Sequence, residues 1–141
     1  MVGNNFGGVN VVNNLNKIPL FEAINENNFE IVKLLIEHGA DVNKMDDAGV
    51  SPLYLALLSF NGDENRKEIL NLLKEKGANL SESDSYGCCL LTQMILLKKE
   101  KAYEWLIENE ADVNLVDKLN KTPLYHAVES ERKGHRPTPK I

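Results

Sequence analysis

Four stretches of this chain spell nearly the same octapeptide. They are IPLFEAIN from Ile18, SPLYLALL from Ser51, CLLTQMIL from Cys89 and TPLYHAVE from Thr122. A pattern recurring at a fixed interval constrains the fold more than any other feature, because each copy must then be one structural unit. Measured at the proline slot, Pro19, Pro52, Leu90 and Pro123 are 33, 38 and 33 residues apart. A second landmark agrees: HGADVN, KGANLS and NEADVN place Gly39, Gly77 and Glu110 at steps of 38 and 33. The unit is therefore 33 residues, and one copy carries five more. The extra residues fall within SFNGDENRKE, residues 59–68, whose Asn-Gly-Asp punctuation predicts a loop.

Each unit holds two short helical patterns. Leu20, Ala23 and Ile24 are spaced to line one face of the first helix, and Ile31, Leu34 and Leu35 one face of the second. Helices shorter than about 12 residues are marginal alone in water, so each must pack on its pair and on the next copy. An all-α solenoid with nearest-neighbour packing is expected.

A 33-residue unit pairing Ser51-Pro52-Leu53-Tyr54-Leu55-Ala56 with Gly39-Ala40-Asp41-Val42-Asn43 resembles the ankyrin repeat, and EIVKLLIEHGADVN from Glu30 is close to that family's pattern. The resemblance covers almost the whole chain. It implies helix-turn-helix pairs joined by β-hairpin-like fingers and stacked into a curved slab that binds other proteins. About four partial or complete repeats are expected. Residues 14–46 form one repeat, 47–84 one with the five-residue insertion, 85–117 a degenerate one, and 118–141 an incomplete one with a C-terminal tail. Residues 1–13 are the tail of a preceding repeat or a flexible N-terminus.

The landmarks have physical reasons. Ser or Thr before Pro caps the first helix, and Pro suits its first turn because it lacks an N–H. Gly after the second helix ends it in a left-handed conformation. Small Ala23, Ala56 and Ala127 allow close helix approach. The departures are equally specific. Ile18 cannot cap, at a cost of about 1 kcal/mol relative to Thr. Phe21, Tyr54, Thr92 and Tyr125 stand where the family has His, so its imidazole hydrogen bonds are expected to be missing. In the third copy Cys89 replaces the cap, Leu90 the proline, Met94 the alanine and Glu110 the glycine. Either Glu110 turns left-handed, at roughly 1 kcal/mol, or Asn109 does and the helix end shifts. Trp105 takes the slot of Leu34 and Leu72, which makes it a packing partner for Met94.

Both ends read as cut. GGVNVVNN aligns with the tail of an earlier unit. The fourth copy has a first helix over residues 123–130 but no second helix; ERKGHRPTPKI resembles a loop instead, with Ile141 placed to open the missing helix.

Chemistry is sparse. The formal net charge of −5 and the absence of a basic stripe argue against nucleic acid. No apolar run reaches the roughly 18 residues of a membrane helix, and the N-terminus lacks the pattern of a secretory signal. Cys88 and Cys89 are sequence neighbours, poorly placed for a disulfide, and read as reduced thiols of an intracellular, cytoplasmic protein. The ankyrin resemblance adds the host cell as an alternative location, since pathogen effectors often carry such arrays. His38, His126 and His135 have no predicted Ser or Cys with an orienting third group. No metal-ligand spacing and no phosphate loop occurs. Neither catalytic residues nor a cofactor is expected.

The resemblance implies that recognition lies on the concave side, at finger tips and exposed first-helix positions. Carried over, the tips are Asn14, Leu15 and Lys17; Asp47, Ala48 and Val50; Ser85, Tyr86 and Cys88; Lys118, Leu119 and Lys121. The helix positions are Asn25 and Glu26; Leu58 and Ser59; Leu96 and Leu97; Glu129 and Ser130. Leu58, Tyr86, Leu96 and Leu97 either form an exposed apolar patch marking a partner site or pack under loops and neighbouring units. Two function classes follow: a protein-interaction module binding another protein, or the targeting or substrate-recruiting part of a larger enzyme or pathogen effector.

Overall fold

A computed structural model describes residues 18–135 of the chain. Seven helices occur among them and no extended strand: α1 (Pro19–Asn25), α2 (Phe29–Glu37), α3 (Pro52–Leu58), α4 (Glu64–Glu75), α5 (Leu90–Leu96), α6 (Glu100–Glu108) and α7 (Pro123–His135). The expectations for residues 1–17, including Asn14, Leu15 and Lys17, and for 136–141 lie outside the described residues. The chain divides into two units at Asn79 and Leu80.

The first unit contains α1 to α4. Short linkers make each pair antiparallel. First helix packs on first helix (α1 on α3), second on second (α2 on α4), and each first helix on its own second. Leu20, Ile24, Leu53, Leu57, Ile69, Leu70 and Leu73 are buried to 1% exposure or less. Each such side chain contributes about 1.5–3 kcal/mol on leaving water, and these contacts supply the stability that short helices lack. On α2 the buried residue is Val32, whereas Ile31 and Leu34 are 42% and 50% exposed, so the face expected from spacing is turned by one residue.

The insertion in the second copy is not all loop. The linker of three residues at 26–28 becomes five at 59–63, and the nine-residue α2 is matched by a twelve-residue α4. Asp63 accepts from the Arg66 N–H at 3.0 Å and so starts α4 within the stretch that its punctuation marked as loop. An N-cap carboxylate outweighs the local turn signal. Asn43 ties successive repeats of this unit together, donating to the Gly77 carbonyl at 3.1 Å and accepting from the Asn79 N–H at 3.0 Å.

The second unit contains α5, α6 and α7, with α6 and α7 both packed on α5. Its core is Leu90, Leu91, Met94, Ala102, Trp105 and Leu106. Trp105 and Met94 are both buried. Glu110 is the residue that turns left-handed (φ +68°), in the slot where Gly39 and Gly77 have φ +101°; Asn109 stays at φ −100°. Helix α7 corrects the expected end of the first helix at residue 130: it runs on to His135. Glu131, Arg132 and Lys133 are good helix formers, and α7 does not turn back into a linker before His135.

Caps follow the sequence. Ser51 accepts from the Tyr54 N–H at 3.0 Å and Thr122 from the Tyr125 N–H at 3.1 Å. Ile18 and Cys89 make no side-chain cap.

Candidate interaction surface

Three aspartates in one register slot, Asp46, Asp84 and Asp117, build the fingers. In each, Oδ1 accepts two backbone N–H groups at 2.9 Å, from Ala48 and Val50, Tyr86 and Cys88, and Leu119 and Lys121. Three residues on, Gly49, Gly87 and Asn120 have φ of +82°, +80° and +65°. The Asp closes an Asx-turn, and the third residue takes the left-handed position that such a tip requires. The sequence signal was present as Asp-x-x-Gly or Asp-x-x-Asn at the repeat spacing. The hairpin-like character is clearest in the third finger, where Ser83 and Cys89 form an antiparallel bridge.

In the second unit the third and fourth fingers touch. The Lys118 N–H donates to the Tyr86 carbonyl at 3.2 Å. A Cβ at Gly87 would stand 3.0 Å from both Lys118 N and Cγ, so the approach depends on glycine.

Behind the fingers lies a polar cluster. His126 Nε2 donates to Asp117 Oδ2 at 2.7 Å, with the two side chains only 17% and 6% exposed. The ring comes from the residue after the family's His slot, which holds no imidazole in this chain. The Lys121 N–H first, and the His126 bond second, hold the Asp117 carboxyl below the usual carboxylate range. Cys88 Sγ lies 3.9 Å from the same Oδ2.

That geometry does not activate the thiol. Burial first, then the nearby carboxylates of Asp84 and Asp117, push Cys88 up to about 11. A cysteine nucleophile needs a base or a cation beside its sulfur, whereas here a carboxylate separates sulfur from imidazole. Among the described residues no group of three His, Cys, Asp or Glu side chains is placed to hold a metal ion.

The fourth finger, the end of α5 and α7 border an open cavity of about 570 Å³. Leu96, Leu119, Lys121, Glu129 and Ser130 line it, all of them positions carried over from the family pattern, together with Lys98, Tyr125 and His126, which were not. Leu119 is 77% exposed, Leu96 48% and Tyr125 41%. Lys121 Nζ stands 4.4 Å from the centre of the Tyr125 ring, and Lys98 Nζ donates to Ser130 Oγ at 2.8 Å.

The other expected contact residues are placed differently. Ser85, Tyr86 and Lys118 are exposed at their tips and Leu97 is 47% exposed, but none of the four lines the cavity. Cys88 is 8% exposed, with its sulfur turned to Asp117, so the structure removes it from the accessible set. In the first unit Asp47 is exposed, while Val50 and Leu58 are half-buried. Leu58 therefore does not share an exposed apolar patch of the kind formed by Leu96 and Leu119.

A second cavity of the same unit, about 620 Å³, is lined by Leu91, Ile95, Ile107 and Leu124 among others. Leu124, which lines it, and Val128 on the same helix are 70% and 50% exposed, although their register equivalents Leu20 and Ile24 are 1% and 0% exposed. These are repeat-stacking positions, distinct from the finger face.

Helix pairs on one repeating pattern, joined by Asp-stapled fingers, define a helical-repeat scaffold. The chain belongs to the ankyrin repeat family: the family described as Ankyrin repeats (3 copies) matches residues 2–84. Ankyrin repeats are in general protein-interaction modules. The chain is 32% identical to an ankyrin repeat protein of Borreliella burgdorferi over 113 residues, 80% of this chain and 34% of that protein. It is 36% identical to an ankyrin repeat protein of fowlpox virus over 118 residues, 82% of this chain and 25% of that protein. It thus spans only about a quarter to a third of the length of these relatives. A shorter stretch of 37 residues, 26% of this chain, is 49% identical to protein phosphatase 1 regulatory subunit 27 of Homo sapiens and covers 24% of it. No helix among the described residues is long and apolar enough to cross a membrane.

Proposed function

We propose that the chain is a protein-interaction module that binds a partner protein through its fingers and exposed first-helix residues, centred on the cavity of the second unit. The observation that carries this reading is the convergence of Leu96, Leu119 and Tyr125, exposed apolar groups, with Lys98 and Lys121 around one cavity of about 570 Å³. An exposed apolar patch rimmed by polar residues marks a protein-interaction site, and Tyr125 is of a residue type enriched at binding hot spots. The Asp117–His126 bond supports it by stiffening the finger that presents Leu119 and Lys121. Tyr86 and Lys118 extend the surface along the finger tips, and Leu97 extends it at the end of α5. The two free, buried cysteines fit a reducing, intracellular compartment.

The 37-residue match to a phosphatase regulatory subunit favours a second reading, in which the module recruits a partner or substrate for an enzyme.

Capture of a partner from a lysate, followed by titration, tests the proposal. Leu96→Ser with Leu119→Ser weakens binding at least about tenfold. Lys33→Glu and Glu104→Lys, exposed on the second helices, leave it unchanged. The reverse pattern, with circular dichroism showing every variant folded, moves the interface to the second-helix side.

A further inference from the structure

The charges around this cavity are not balanced, and the imbalance specifies the partner. The surface carries lysines in a chain whose net charge is −5. Glu129, the carboxylate that lines the cavity, and Asp117 behind it are already engaged, while Glu100 and Glu131 border the neighbouring cavity that shares Lys98. Glu129 takes Arg132 at 3.3 Å, and Asp117 takes His126 at 2.7 Å and is almost fully buried. The ammonium groups are not neutralised in the same way. Lys98 spends one hydrogen bond on the neutral hydroxyl of Ser130, and Lys121 stands over the ring of Tyr125. Each ammonium has three donors, so both keep donors for an incoming acceptor. Among the described residues neither has a carboxylate within 4 Å.

The apolar components are as specific. Leu119, Leu96 and Tyr125 are exposed on the walls that carry the two lysines. A ligand that is only acidic would leave them wet, and one that is only apolar would bury two unpaired ammonium groups, which is costly. A phosphate group is better matched by the planar fork of arginine, and the cavity contains none.

Building on the proposed interaction surface, we infer that the segment it takes is an acidic peptide in which a Glu or Asp stands next to a large apolar or aromatic residue. The carboxylate binds between Lys98 and Lys121. The apolar side chain fills the space between Leu96, Leu119 and Tyr125. Opposite charges on partner and surface raise the association rate, so binding weakens as salt rises.

The test is selection of a random twelve-residue peptide library, displayed on phage, against the full chain and against the Lys98→Gln/Lys121→Gln and Lys98→Glu/Lys121→Glu variants. Sequences pairing Glu or Asp with Leu, Phe, Tyr or Trp are selected by the parent chain. A synthetic peptide of the commonest selected sequence binds the Gln variant about tenfold more weakly, and the Glu variant selects basic sequences instead. Selection of basic or uncharged sequences by the parent, or of nothing above background, overturns the inference. So does a peptide affinity indifferent to both lysine variants. Leu96→Ser/Leu119→Ser separates the two levels. If it abolishes peptide binding while the lysine variants do not, the surface stands and the carboxylate rule falls. If it binds the peptide unchanged, the surface assignment itself falls.

Discussion

The His126 imidazole and the Asp117 carboxylate meet at 2.7 Å, joining the base of the fourth finger to α7. The bond fixes the finger that presents Leu119 and Lys121 to the cavity, and it makes finger geometry dependent on one ionisation. Because the Asp117 carboxyl is held below the usual range, the unfolded chain binds its proton more readily than the folded one. Stability from this group is therefore complete above the ordinary carboxylate value, about pH 4, and is lost as pH falls through the lower folded value. Asp117→Asn removes that contribution, so a midpoint-against-pH curve of the variant falls less steeply below about pH 4 than that of the parent. Parallel curves would mean that Asp117 does not carry the dependence.

Gly87 and Gly49 share a left-handed backbone, but only Gly87 has a neighbour against its α-carbon. Gly49→Ala meets nothing within 4 Å and costs about 1 kcal/mol of backbone strain. Gly87→Ala adds a 3.0 Å contact with the backbone nitrogen of Lys118, which the fingers relieve only by separating, and costs about 2–3 kcal/mol. Urea midpoints of the two variants are compared at equal slope. Equal losses would show that the third and fourth fingers part without penalty.

Glu110 holds a left-handed conformation in the slot that glycine fills after α2 and α4. Glu110→Gly relieves it and stabilises the second unit by about 1 kcal/mol, less the greater entropy glycine has in the unfolded chain. Thermal and denaturant melts both report it. A destabilised variant would mean that the Glu110 side chain contributes more than its backbone costs.

Cys88 and Cys89 are free, 8% and 3% exposed, and the Cys88 thiol is pushed up to about 11. In the native protein at pH 7, a thiol-reactive dye labels neither at an appreciable rate, and both react once the chain is unfolded. Rapid native labelling of Cys88 would show that the third finger opens readily.

Much of the architecture is legible in the sequence because its causes are local. The caps at Ser51 and Thr122 and the left-handed Gly39 and Gly77 depend on residues within one turn of each other, and their recurrence along the chain gives the 33-residue period. A periodic apolar pattern also predicts that helices of this length must pack in pairs. The Asp-x-x-Gly fingers belong to the same class of signal.

What tertiary structure decided depends on neighbours through space. Spacing places Ile31, Leu34 and Val32 on α2 but does not say which of them meets α1 and α4; only Val32 is buried. Cys88 has the register of an exposed tip residue, yet its sulfur turns inward because Asp117, 29 residues away, lies behind it. His126 is one residue out of the family slot, and its bond forms because α7 lies beside the base of the fourth finger. The cavity is of the same kind: the repeat pattern leads one to expect that α7 packs on α5, but that Lys98 and Tyr125 join Leu96, Leu119 and Lys121 around one opening is decided by where those side chains stand in space.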